Sequence, residues 1–121
     1  MNKNVKFFAG KASETLAKEI AIAYGSDLSS SDLIEFADGE FEPSFNETVR
    51  GADVFLIQST NPPAEHLMEL LLMLDAAKRA SAKTVTAIIP YYGYSRQDRK
   101  DQPRVPISAR MILDLIWNDL E

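Results

Sequence analysis

The sequence predicts an α/β fold, a mainly parallel sheet flanked by helices with an appended β-hairpin, and three observations carry that prediction. Short apolar runs alternate with longer segments of helical periodicity, the pattern of βαβ units. One run, Val54-Phe55-Leu56-Ile57, is apolar on both faces, as expected of a central parallel strand covered by helices above and below. The pair Asp38-Gly39 stands between two short β-prone stretches and has the chemistry of a tight hairpin turn.

Val5 to Ala9 reads as the first strand, and Gly10 and Ser13 punctuate its end. A helix follows with Ser13 as N-cap and Glu14 in its first turn; Leu16, Ile20 and Tyr24 recur at helical spacing and Gly25 supplies the stop. A serine-rich polar loop covers 26–31. Leu33 to Phe36 then forms a strand that reaches the turn Asp38-Gly39-Glu40, with Phe41 to Val49 as its return arm. Pro43 lacks a backbone donor, which places that arm at an edge. After the central strand, Pro62-Pro63 opens the longest helix. Its apolar side is Leu67, Leu70, Leu71, Leu74 and Ala77, and Lys78, Arg79 and Lys83 favour its C-terminal end. The β-branched run Thr84 to Ile89 is the next strand. Ser108 to Leu120 is a closing helix with Ser108 as cap and Ile112, Leu115, Ile116 and Leu120 in helical register. Crossovers of this kind are right-handed. There is no internal repeat and no linker, so residues 1–121 form a single domain. A βα series closing on a partly apolar helix with Trp117 reads as part of something larger, or as a helix buried against another subunit.

Composition narrows the function. The 121 residues are 45% hydrophobic and 26% charged, enough for one soluble domain with its own core. A formal charge of -5 argues against bulk attraction to nucleic acid or an anionic membrane, so any anion must be caught locally. No cysteine is present, which removes disulfides and thiol chemistry and fits the cytoplasm. No apolar run approaches the roughly 20 residues needed to span a bilayer, and the first residues lack the apolar stretch of a signal peptide.

Against that acidic background, Arg96, Arg99, Lys100 and Arg104 follow a tyrosine-rich turn at the carboxyl end of a strand, where ligands bind in open α/β sheets. Forked guanidinium groups and a mobile ammonium suit a polyphosphate, and Gln97 can read a base or sugar edge with its paired donor and acceptor. A solvated loop salt-bridged to Asp98 and Asp101 is the structural alternative. Asp38 and Glu40 beside Phe36 and Phe41 could accept from an adenine amino group while a ring stacks on the base; from these residues alone a plain hairpin turn, the usual use of Asp-Gly, is the favoured reading. Thr48, Arg50 and Ser81 could bind an anion or simply cap turns. His66 is the only histidine, so a zinc site is not indicated, and neither a Ser-His-Asp spacing nor a Walker motif is present.

Several ordered motifs at matching spacing point further: Phe36-Ala37-Asp38-Gly39-Glu40, Val49-Arg50-Gly51, Ile57-Gln58-Ser59-Thr60, Met68 to Leu71, Arg79 to Lys83, Ile89 to Lys100 and Val105 to Ala109. Together they resemble the ribose-phosphate pyrophosphokinases, from the first strand to about Ile112. The resemblance implies a phosphoribosyltransferase-like, Rossmann-like N-terminal domain. It belongs to an enzyme that transfers the diphosphoryl group of ATP to ribose 5-phosphate with Mg²⁺, giving phosphoribosyl pyrophosphate and AMP. It assigns ATP binding to Phe36, Asp38, Gly39, Glu40, Arg96 and Gln97, with the hairpin turn serving a site completed by a neighbouring subunit in a homo-oligomer. Arg99 and Lys100 fall at the start of the family's flexible catalytic loop, and Thr48, Arg50 and Ser81 near its regulatory anion site.

Three features depart from the family. The segments that hold most magnesium ligands and ribose 5-phosphate there lie beyond the motifs present here, so these residues contain no metal site and are expected to be inactive alone. The stretch Leu115 to Glu121 and the residues Pro43 and Ser44 also differ. A non-catalytic regulatory or oligomerisation subunit related to the synthetase is the alternative. A basic loop for single-stranded RNA has the stacking tyrosines without the charge.

Overall fold

The computed structural model describes residues 4–100 and 102–120. In chain order the elements are β1 (Val5–Ala9), a 3-10 turn (Lys11–Ser13), α1 (Glu14–Tyr24), β2 (Ser31–Glu35), β3 (Phe41–Phe45), β4 (Asp53–Ile57), α2 (Glu65–Arg79), β5 (Thr84–Ile88) and α3 (Ser108–Leu120). Strands β1, β4 and β5 pair in parallel in that order, and β2 and β3 form a separate antiparallel hairpin. The parallel register is level: Ala9 stands opposite Ile57, and Ile57 opposite Ile88. The three loops that leave the carboxyl ends therefore start side by side.

Side chains alternate across a strand, so β4 feeds two cores. On one face Val54 and Leu56 join Phe8 under Leu70, Met73, Leu74 and Ala77 of α2 and Ile112 and Ile116 of α3. On the other, Ile57 joins Phe7 under Ala17 and Ala21 of α1. The expected α2 stripe is thus the packed one, with Leu67 and Leu71 at its margin. The hairpin is held through Phe45, whose ring meets that of Phe8 at 4.4 Å.

Several boundaries differ from the sequence reading. In α1 the buried stripe is Ala17 and Ala21, both fully covered, whereas Leu16 is 42% and Tyr24 55% exposed. The stacked rings of Phe7 and Phe55 fill the sheet face below, so only alanines let the helix approach, and Tyr24 meets Phe7 edge-on from the side. Ser13 occupies the N-cap position of α1 but its hydroxyl makes no cap bond. Strand β2 begins at Ser31, paired with Phe45, and releases Phe36 into the turn; β3 ends at Phe45 rather than Val49, which turns back into the core. Pro43 lies within β3 opposite Leu33, tolerable because a two-stranded sheet is all edge. Helix α2 starts at Glu65, after the prolines rather than on them, and β5 ends at Ile88.

The close approach of α1 has a measurable consequence. Ala17→Leu should destabilise the domain by about 1–3 kcal/mol through overpacking, while Leu16→Ser should stay within about 0.5 kcal/mol. Urea unfolding checks both; equal losses would contradict this packing.

Candidate functional site

Central strand β4 runs directly into Gln58, Ser59 and Thr60, and all three polar residues are buried. Each satisfies a neighbouring loop. Gln58 accepts from the Ala12 amide through Oε1 at 3.1 Å, and its Nε2 donates to the His66 carbonyl and to Glu69 Oε1. The Ser59 amide donates to Ser13 Oγ, while Ser59 Oγ accepts from the Tyr91 amide at 3.1 Å. That tether explains why Ser13 does not cap α1. The Thr60 amide donates to the Tyr91 carbonyl, and Thr60 Oγ1 accepts from the Gly93 amide at 2.8 Å. Two glycines allow this closeness: a Cβ on Gly10 would lie 2.2 Å from Gln58 Cδ, and one on Gly93 2.2 Å from the Thr60 carbonyl oxygen.

Glu69 completes the arrangement from α2. Only 5% exposed, its carboxylate accepts the Lys11 amide at 3.1 and 3.3 Å as well as the Gln58 donor. Burial raises its pKa, outweighing the Lys11 amide bond, the Lys11 and His66 charges and, in the same direction as burial, adding to the effect of Glu14. Sequence reading gave Gln58 and Glu69 no role. The available signal was a carboxylate inside the run Leu67 to Leu74, one position before the buried Leu70.

The tyrosine-rich loop is tied to α3. Tyr92 donates its hydroxyl to the Ala109 carbonyl, and burial raises the pKa of that phenol. The chain then turns through Tyr94, at φ 70°, and the Gln97 amide closes the turn on the Tyr94 carbonyl. Gln97 also receives the first turn of α3: its backbone carbonyl accepts the Ala109 amide, and its Oε1 accepts the Ser108 hydroxyl at 2.5 Å. Ser108 is accordingly the first helical residue, with its hydroxyl turned to the loop instead of capping. Arg96, Arg99, Lys100 and Arg104 are exposed and form no ion pair among the described residues. Asp98 therefore neutralises none of them, and Asp101 lies outside the described residues.

At the hairpin tip, Gly39 adopts φ 98° and the Asp38 carboxylate accepts the Glu40 amide at 3.0 Å, so the turn chemistry is real. Phe36 is 49% exposed beside it. Glu35, Gly39 and Phe41 line a cleft of about 300 Å³ with Lys11, His66 and Glu69. Arg96, Gln97, Arg99 and Lys100 are not among its walls. Phe36, Asp38 and Glu40 are not among its walls either. Thr48, Arg50 and Ser81 do come together: the Arg50 amide donates to Thr48 Oγ1, and the Gly51 amide to the Ser81 carbonyl. They sit at the amino ends of β4 and β5, opposite the loops above. Among the described residues no three His, Asp or Glu side chains are placed to hold a metal ion, and no helix is long and apolar enough to cross a membrane.

A family profile described as the N-terminal domain of ribose phosphate pyrophosphokinase matches residues 5–118. The chain belongs to that family. It is 52% identical over 116 residues to the ribose-phosphate pyrophosphokinase of Chlorobaculum tepidum, covering 96% of this chain and 36% of the relative. With that of Porphyromonas gingivalis it shares 55% over 113 residues, 93% of this chain and 36% of the relative. The crystal structure of phosphoribosylpyrophosphate synthetase from Mycobacterium smegmatis superposes with a TM-score of 0.90 at 45% identity, covering 97% of this chain and 40% of that one. The chain spans about a third of the length of the curated relatives it matches. The family's α/β fold and its enzymatic class are thereby those expected from the motifs.

Glu69 offers a pH test of the polar layer. A carboxyl whose pKa is raised on folding contributes stability that is full below the ordinary value of 4.5 and is lost as pH rises through the raised value. The uncharged Glu69→Gln variant lacks that loss. The stability of the native sequence relative to Glu69→Gln should therefore fall as pH rises from 4 to 7 in denaturant titrations; a constant difference would contradict a buried, desolvated carboxylate.

Proposed function

We propose that these residues form the N-terminal domain of a ribose-phosphate diphosphokinase, which moves the diphosphoryl group of ATP to ribose 5-phosphate and releases AMP. The observation that carries this reading is the family match taken with the exposed, unneutralised cations of the loop after β5. In this reading Arg96 and Gln97 contact ATP, and Arg99 and Lys100 offset phosphate charge. Transfer of this kind asks a protein mainly to position in-line groups and stabilise developing charge. A loop closing over the polyphosphate would also keep water from it.

Phe36, Asp38, Gly39 and Glu40 supply the adenine contacts, the ring by stacking and the carboxylates by accepting from the amino group. In the family reading the hairpin turn serves a site completed by a neighbouring copy, hence a homo-oligomer. Mg²⁺ enters with ATP; the described residues gather no ligand set of their own for it, and its remaining ligands lie in other parts of the enzyme. Thr48, Arg50 and Ser81 form the regulatory anion site, away from the transfer chemistry. The setting is cytoplasmic.

The 121 residues alone should form no AMP from ATP and ribose 5-phosphate, and should bind ATP weakly. Arg96→Ala should weaken that binding by about tenfold, the loss of one charge-assisted contact of roughly 1.4 kcal/mol. Calorimetry that finds equal affinity, or turnover by the isolated chain, would refute these assignments.

A further inference from the structure

We propose that Ser108 is a positioning residue for nucleotide recognition, acting through Gln97. A glutamine amide has an acceptor end and a donor end, and its last torsion is soft enough to present either. The Ser108 hydroxyl, which can donate or accept, does not select an end but anchors the side chain. Here it is buried and donates to Gln97 Oε1 at 2.5 Å, and Nε2 of this exposed side chain has no partner among the described residues. The backbone on both sides is fixed as well. The Gln97 amide donates to the Tyr94 carbonyl, the Gln97 carbonyl accepts from the Ala109 amide, and Tyr92 binds the Ala109 carbonyl. What Ser108 restrains is therefore the side chain, on a backbone already held.

The consequence concerns how readily Gln97 meets a ligand. A glutamine anchored through one end of its amide presents the other without first losing the freedom of an exposed side chain. This inference rests on the reading that Gln97 meets ATP.

The test is steady-state kinetics of the complete gene product, varying ATP and ribose 5-phosphate separately, with thermal unfolding alongside. Ser108→Ala should raise KM for ATP about fivefold, the scale of one hydrogen bond, with kcat and KM for ribose 5-phosphate unchanged within twofold. Ser108→Thr, which keeps the hydroxyl, should restore the ATP value. Gln97→Glu keeps an acceptor for Ser108 but loses the donor, and should raise KM for ATP at unchanged melting temperature; it decides the matter if Ser108→Ala does not fold. An unchanged KM for ATP in Ser108→Ala or Gln97→Glu, equal changes for both substrates, or no recovery with Ser108→Thr would overturn the proposal. If Arg96→Ala still weakens ATP use in that case, the ATP reading stands and only the role of Ser108 falls. A native protein with no ATP dependence would overturn both.

Discussion

Three loops leave a level sheet edge, and the polar extension of β4 satisfies all of them. Gln58 holds the loop after β1 and the start of α2, Ser59 holds Ser13 and Tyr91, and Thr60 holds Gly93. An unpaired polar atom at such depth would cost roughly 1–3 kcal/mol, yet among the described residues every buried side-chain nitrogen and oxygen has a partner. The central strand is the only one adjacent to both others, so it alone can connect both outer loops. Gly10 and Gly93 follow from the same constraint, because any side chain there would collide with Gln58 or with the Thr60 backbone.

This layer separates structural polarity from functional polarity. Glu69 and Gln58 are consumed inside the protein, whereas Arg96, Arg99 and Lys100 stand in solvent without ion-pair partners among the described residues. Gln97 lies at the junction: one end of its amide belongs to the α3 contact and the other does not. The Thr48, Arg50 and Ser81 group is placed at the amino ends of β4 and β5, away from the loops at the carboxyl edge.

Much of this was legible in the residues. The doubly apolar run of β4, the stripe of α2 and the Asp38-Gly39 turn follow from periodicity and turn chemistry, and each has its expected place. The α1 face was misread by one residue because large apolar side chains suggest burial, while the stacked phenylalanines beneath favour small ones. Ser13 and Ser108 were read as caps because a serine before a helix usually is one. Both are instead tethers to loops distant in sequence, and no local pattern distinguishes the two uses. Gln58 and Glu69 were passed over for the same reason, since a buried polar pair is defined by its partners. The cationic loop was visible as a reversal of charge, but its link to α3 was not.

The most direct measurement is amide hydrogen exchange in Thr60→Val, which keeps the shape of the side chain and removes its acceptor. If the β4 extension holds the loops, Gly93 should lose protection by about fivefold or more, while Gly10, bonded to the Ile57 carbonyl, keeps its own. Unchanged protection at Gly93 would contradict that dependence.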